Sequence, residues 1–280
     1  MKKNRLLINP TVELALKSQP KTYWFTILIV LFMIYLIVIS FEGSGINEYR
    51  LAQFAKSFGY MLKGFMNPDW EYFFGTGDIW EFKDSIVLAA IVTIAIAFIG
   101  TALSLILAIP MGFISARNIT GKATSKTGDV ILVFIRTFPE IVLALVLLRV
   151  FGYNALTGVI TIAIHSVGML GKLFAESIEN IDKGVLEALD AVGANWLQKI
   201  RYGVLPQVLP DFISISLYRF DINLRSSTVL GYILSIGLGL KLAFASNGPD
   251  WNKVASVMIS IIVLISIIDY ISGKIRTKLV

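Results

Sequence analysis

Three ionisable residues stand where a membrane-crossing stretch should carry none: Arg219, Asp221 and Arg225, in LYRFDINLRSSTVLGY. Counted from a helix start near Phe212 at about 1.5 Å per residue, Arg219 lies about 11 Å and Arg225 about 20 Å into a hydrocarbon layer roughly 30 Å thick. A central arginine costs at least about 2.5–3.5 kcal/mol to insert, so it must face protein or a water-filled cavity. Asp221 precedes Arg225 by one helical turn, which allows the two to pair along one face. Arg219, Asn223, Ser226 and Ser227, with Thr228 beyond them, mark an adjoining polar face. Two readings fit. Either Asp221 and Arg225 form a structural pair while Arg219 snorkels to the surface, or cations and hydroxyls line a route for a small anion. Arg136 and Glu140 flank Pro139 and make a second candidate pair. Pro139 also frees a backbone carbonyl, which inside a membrane only protein or a cavity can receive.

Other chemistry is excluded. There is no cysteine, so neither a disulfide framework nor a thiolate metal site is available. The single histidine, His165, rules out a histidine metal cluster and reads as a polar residue packed between helices. Gly121-Lys122 is followed by Ala123, where a phosphate loop needs Ser or Thr, so no nucleotide site is visible. No nucleophile and base are grouped, so no catalytic residues are assigned. Gly231, Gly237 and Gly239 read as points of close helix packing.

These residues must be positioned by a membrane domain. Of 280 residues, 56% are hydrophobic and 16% charged, against about half and a quarter in soluble domains. The net charge of +6 is not a nucleic-acid footprint, because the charges gather at the ends of apolar runs. The expected fold is all-α and polytopic, with about six spans in contact with lipid. They are Tyr23 to Ser40, Ser85 to Ile109 (ended by Pro110), Val130 to Val150, Thr157 to Leu170, Phe212 to Leu240 and Val254 to Ser272. A tight uncharged turn, Phe151 to Leu156, joins the third and fourth. Fifteen of the 25 bases fall in residues 1–21, 115–129, 172–210 and the C-terminal tail. Those segments, and both termini, are therefore expected in the cytoplasm. Residues 1–84 form a first part: a basic start, one span and an external insert. The insert, from Phe41, has seven acids against four bases and carries interfacial aromatics such as Trp70 and Trp80, which suit a surface-lying helix. Residues 85–280 form the main domain.

Between the fourth and fifth spans lies GVLEALDAVGANWLQKIRYGVLP, Gly184 to Pro206. Val185, Leu189, Val192 and Trp196 recur at helical spacing and predict a helix with one apolar stripe over about 184–197. Gly193 costs that helix roughly 1 kcal/mol against Ala, which suits a close backbone approach. Pro206 and Pro210 should stop the segment. Periodicity alone fits an amphipathic helix on the membrane surface.

The spacing says more. Glu187-Ala188, then Gly193, then Leu205-Pro206 resembles the EAA signature of type I ABC importer permeases: E-A-A, three residues, G, nine residues, I, one residue, L-P. Leu189 and Gly203 depart from it, standing at the third EAA place and at the Ile. RTFPEIVLALVLLRVFG (Arg136 to Gly152), GMLGKLFAESIENID (Gly168 to Asp182) and YRFDINLRSSTVLG (Tyr218 to Gly231) narrow the resemblance to the phosphonate-type branch, over roughly Ser85 to the C-terminus. The resemblance implies a multi-pass bacterial inner-membrane subunit importing phosphonate, phosphite or phosphate. It implies a second, identical permease subunit, two ATPase subunits that hold ATP and Mg, and an external binding protein. Docking of an ATPase would use Glu187, Ala188, Asp190, Gly193, Ala194, Trp196, Leu205 and Pro206. The route would use Arg136, Glu140, Arg219, Asp221, Asn223, Arg225, Ser226, Ser227 and Thr228. A same-fold permease for an amino acid such as methionine, or a stand-alone secondary transporter, are the alternatives.

Overall fold

The computed structural model describes residues 23–43, 48–74, 85–248 and 250–278, and among them every regular element is helical. The basic start and the acidic end of the insert, residues 75–84, lie outside the described residues. The chain forms two units, 1–59 and 60–280. In the first, α1 (Tyr23–Gly43) is apolar on all sides with no buried residue. Its 21 residues span about 32 Å, enough to cross a bilayer. α2 (Glu48–Met66) follows, with Leu51, Phe54, Phe58 and Leu62 exposed at helical spacing and the rings of Phe54 and Phe58 stacked at 5.9 Å. α3 (Trp70–Phe74) is capped by Asp69, whose carboxylate accepts from the Tyr72 amide at 3.1 Å.

The main bundle begins with α4 (Ile86–Ser115), capped by the Ser85 hydroxyl. Its buried stripe is mostly small: Ala89, Thr93, Ala97, Gly100, Thr101, Ser104, Ala108 and Gly112. Small residues let backbones approach in a membrane, where packing and not hydrophobicity drives association. Pro110 lies inside α4 and does not end it. A proline costs one backbone bond, and neighbouring helices in a bundle absorb that loss. α5 (Arg117–Thr120) turns into α6 (Lys122–Thr137) and α7 (Glu140–Phe151), and then α8 (Ala155–Glu179) runs parallel to α4. Ile162 sits over Gly100 and Phe174 over Gly112, where a Cβ would come within 2.8 and 2.7 Å of them. The turn before α8 is tight, as expected: Gly152 at φ +77° ends α7 and Asn154 caps α8.

α6 and α7 are not one straight span. They meet at 81° across Phe138 and Pro139, both in extended conformation. Proline steers the residue before it out of the helical region, so the break falls there. Beyond α8 come α9 (Lys183–Ala191), α10 (Trp196–Gln198), a π-helical turn (Lys199–Val204) and α11 (Leu205–Leu234). α12 (Gly237–Asn247) and α13 (Trp251–Arg276) complete the chain's elements. Neither Pro206 nor Pro210 stops anything: the first opens α11 and the second lies inside it. α1, α4, α8 and α13 are each long and apolar enough to cross a membrane. Counting each bent pair, α6 with α7 and α10–α11 with α12, as one span gives up to six among the described residues.

Among the described residues, three apolar clusters hold the bundle; one joins Ile86, Ala89, Leu238 and Val257, and the other two flank its middle. Of these two, the one at the end carrying α9 joins Ala108, Leu170, Phe174, Ile178, Val204, Val208 and Phe212, with Phe174 and Phe212 stacked at 4.0 Å. The other joins Ile96, Ala144, Val159, Ile162, Leu230 and Leu234. The α4–α5 junction lies at the same end as α9, since the Arg117 amide donates to Glu179 at 2.8 Å and Asn118 to the Ile178 carbonyl at 2.7 Å.

The α11–α12 elbow bends 52° with Ser235 and Gly237 at positive φ. The glycines there do pack closely. A Cβ on Gly239 would lie 2.0 Å from the Tyr232 nitrogen and 2.2 Å from the Gly231 carbonyl carbon. These are backbone atoms that cannot swing aside, so Gly239→Ala must open the elbow. Its cost should reach the upper end of overpacking, about 3 kcal/mol, and appear as a lower melting temperature in detergent. Gly273→Ala, where a Cβ meets nothing within 4 Å, should melt no lower than the unaltered protein.

Candidate functional site

A chain of polar side chains crosses the bundle between the two apolar clusters that flank its middle. Thr101 donates to the Ala97 carbonyl at 2.6 Å and accepts from the Asn223 amide at 2.8 Å. Ser166 donates to the Asn223 oxygen at 3.1 Å and accepts from Arg219 Nε at 3.0 Å. The other arms of Arg219 reach Met169 Sδ at 3.1 Å and His165 Nδ1 at 3.0 Å. Arg219 is 4% exposed, so it does not snorkel to a surface. Serving Arg219 as acceptor, His165 Nδ1 carries no proton, and it faces Glu140 Oε2 at 3.9 Å without forming an ion pair. The Ser226 hydroxyl donates to the same oxygen at 2.9 Å.

Both ion pairs expected within single stretches fail to form. Asp221, 4% exposed, bonds Arg276 at 2.7 Å, and Arg225 bonds Asp269. α11 and α13 run antiparallel, so α13 offers an opposite charge to each. Pairing inside α11 would leave Asp269 and Arg276 unmatched. Arg136 and Glu140 are separated by the 81° break, which turns them onto different faces. Arg136 is left exposed, while Glu140 is directed to Ser226 and His165. Ser227 and Thr228 are buried and bond the Leu224 carbonyl.

Three of the nine expected route residues therefore meet at an open recess. Pro139, Glu140, Ile141, Arg225, Ser226, Val229 and Leu230 line it, with a volume of about 410 Å³. Asn223, Ser227 and Thr228 are sealed inside the bundle. His165 was read as mere packing, yet it links Arg219 to the neighbourhood of Glu140. Its one legible signal was the spacing of His165, Ser166 and Met169, one helical face within an apolar run.

The segment after α8 is not one helix. α9 starts on Asp182, which accepts from the Gly184 amide at 2.9 Å, and ends in a Schellman motif. In it Ala194 N donates to the Leu189 carbonyl at 2.9 Å and Gly193 N to that of Asp190 at 3.0 Å. Gly193 has φ +76° and no atom within 4 Å of a would-be Cβ. Its backbone conformation, and not a close approach, requires glycine. The Glu-to-Gly offset of the signature is thus a helix and its stop. A capping box between Asn195 and Gln198 then starts α10, and Lys199 bonds Asp190 across the break. Gln207 ties the segment to α11, accepting from Asp182 N at 2.9 Å and donating to the Gly203 carbonyl at 2.7 Å.

The apolar stripe divides accordingly. Leu186 packs on the cluster beneath it, while Val192, Trp196 and Leu197 are 78%, 56% and 69% exposed. Glu187 and Ala188 face outward beside them, Ala194 is half-buried, and Leu205 and Pro206 are the exposed first turn of α11. The two departures from the EAA pattern touch each other. A Cβ on Gly203 would lie 2.8 Å from Leu189 Cδ1 and 3.1 Å from Leu186 Cδ2. The larger side chain at 189 fills the space that the smaller one at 203 leaves.

Residues 108–279 match the family model described as "Binding-protein-dependent transport system inner membrane component". The chain is 34% identical to the phosphite transport system permease protein PtxC of Stutzerimonas stutzeri over 66% of its length and 67% of that protein's. It is 35% identical to the phosphate-import permease protein PhnE of Mycolicibacterium smegmatis over 68% of its own length but only 36% of that relative's. Among solved structures, an inward-facing MetNI methionine ABC transporter superposes with a TM-score of 0.61 at 18% identity, covering 70% of this chain and 96% of that one. At that identity the likeness shows the fold alone.

The Leu189–Gly203 contact can be tested by a double-mutant cycle. Gly203→Ile alone should destabilise by about 1–3 kcal/mol through overpacking, and Leu189→Ala alone by leaving a gap. The double variant should melt closer to the unaltered protein than their sum, with a coupling of about 1 kcal/mol or more. Simple additivity would show the two positions to be independent.

Proposed function

The chain belongs to the family of inner membrane components of binding-protein-dependent transport systems, and on that premise we propose that it is the subunit through which an ATP-driven importer passes a phosphorus oxyanion: phosphite, phosphate or a phosphonate. A permease of this family is not itself an enzyme. Hydrolysis of ATP, with its Mg, belongs to two separate ATPase subunits. A second copy of this chain and an external binding protein complete the assembly.

The observation that carries the reading is mechanical. One helix, α11, begins at the exposed segment and continues to Arg225 and Ser226 at the recess. From Leu205 to Arg225 it is about 30 Å long. Through it, a push on the segment reaches the recess. The end bearing α9 faces the cytoplasm, in keeping with the basic residues gathered there. The ATPase docks on the outward face of Glu187, Ala188, Val192, Trp196 and Leu197, an apolar patch next to an acidic side chain. Asp190, held by Lys199, keeps α9 and the turn moving as one piece. At the recess, Arg225 offers donors to a tetrahedral anion and Ser226 holds Glu140 at the wall, while the sealed chain around Arg219 holds α4, α8 and α11 in place. The relatives named for phosphite and phosphate transport support the choice of solute over an amino acid.

Reconstituted with its ATPases and binding protein, the complex should hydrolyse ATP faster with phosphite or phosphate and not with methionine. Stimulation by methionine alone would overturn the solute class. Arg225→Ala should lower anion uptake at least about tenfold, the loss of one charge-assisted contact of roughly 1.5–3 kcal/mol. Unchanged uptake would remove the recess from the route. Glu187→Lys should leave the subunit in the membrane but weaken co-purification of the ATPase, whereas full co-purification would exclude docking at that residue.

A further inference from the structure

Glu140 is out of place in a route for anions. It is a carboxylate on the wall of the same recess as Arg225 and Ser226. Its Oε2 accepts from Ser226 at 2.9 Å, while its Oε1 is buried and has no hydrogen-bond partner among the described residues. The charged and titratable groups around it do not supply a donor. His165, from α8, lies 3.9 Å from Oε2, with its Nδ1 accepting from Arg219. Arg219, from α11, spends its guanidinium on Ser166, Met169 and His165. Arg225, also from α11, bonds Asp269. Arg136, from α6, is exposed beyond the 81° break and forms no ion pair with it. A carboxylate oxygen accepts hydrogen bonds only, so the missing group must be a donor.

We infer that Glu140 accepts the acid proton of the transported anion. The recess would therefore take a tetrahedral oxyanion that still carries a P–OH and turn away one that is fully ionised, such as sulfate. This rests on the recess being part of the route. A singly protonated phosphate, phosphite or phosphonate has both kinds of group. Its charged oxygens accept from Arg225, and its hydroxyl donates to Glu140. Sulfate has acceptors only and would set a charged oxygen against a carboxylate. The terminal torsion of a glutamate is broad. A partial roll about that bond turns Oε1 out of its buried position toward the recess. A site built to bond a solute hydroxyl rejects the analogue without it by up to about 10⁴-fold, far beyond what cations and hydroxyls alone provide between anions of equal shape.

The test uses the whole permease–ATPase complex in lipid nanodiscs without binding protein, and follows methylphosphonate, whose monoanion carries a single P–OH, by phosphorus saturation-transfer NMR. Binding to the unaltered complex should weaken as pH rises and the anion loses its proton, and excess sulfate should not displace it. Glu140→Gln, of the same shape, should bind methylphosphonate with little dependence on pH and should let sulfate compete. A Glu140→Gln complex that keeps the pH slope and still rejects sulfate overturns the assignment. His165→Gln should retain sulfate exclusion, since His165 is not the acceptor. A readout free of any substitution is methylphosphonate against its O-methyl ester, an anion without P–OH. The unaltered complex should bind the first and not the second, and equal binding counts against Glu140 as acceptor. Failure of the unaltered complex to bind methylphosphonate at any pH, or binding indifferent to Arg225→Ala, would instead sink the route itself.

Discussion

A guanidinium sealed between helices has five N–H donors and no water to receive them. Arg219 is in that position, 4% exposed and flanked along the bundle by two apolar clusters. Its three bonds reach three side chains of one helix, α8, at His165, Ser166 and Met169. Through Ser166 and Asn223 the chain continues to Thr101 on α4, and near His165 it meets Glu140 on α7. Removing one partner of such a set leaves a buried polar group unmatched, typically at about 1–3 kcal/mol and more for a charge. The set therefore fixes the relative register of α4, α8 and α11 more strictly than apolar packing alone could do.

The two ends of α11 lie beyond that fixed centre. At one end its first turn grows directly out of the exposed segment, buckled to it by Gln207 and by the contact of Leu189 with Gly203. At the other, the elbow into α12 is closed so tightly that only glycine fits at 231 and 239. Between them, Asp221 and Arg225 each hold α13 by an ion pair. α13 is thereby tied to α11 at two points.

Much of this was legible because the membrane makes departures from apolarity conspicuous. The four to six candidate crossings among the described residues and the exposed segment followed from where charges stand along the chain. Partners did not follow, because sequence proximity offers Asp221 only Arg225, whereas the neighbouring helix supplies Arg276 from 55 residues away. Prolines were misread for a related reason. Pro110 and Pro210 sit inside helices whose neighbours absorb the lost bond, and only Pro139, following an extended Phe138, breaks one. Gly193 was recognised as needed, but its positive φ marks a helix stop that spacing alone does not distinguish from a crossing. The roles of Glu140 and His165 emerged only once four helices were brought together.

The central claim is that a push on the exposed segment is carried along α11 and changes which side of the membrane the recess opens to. The chain has no cysteine, so a lone thiol can be placed by Ser226→Cys and read without background. With membrane-impermeant thiol reagents applied to either side of the assembled complex, the thiol should be modified from the cytoplasmic side without nucleotide. It should be modified from the opposite side when the ATPases are trapped with ATP. Modification from the same side in both states, or from neither, would contradict the account.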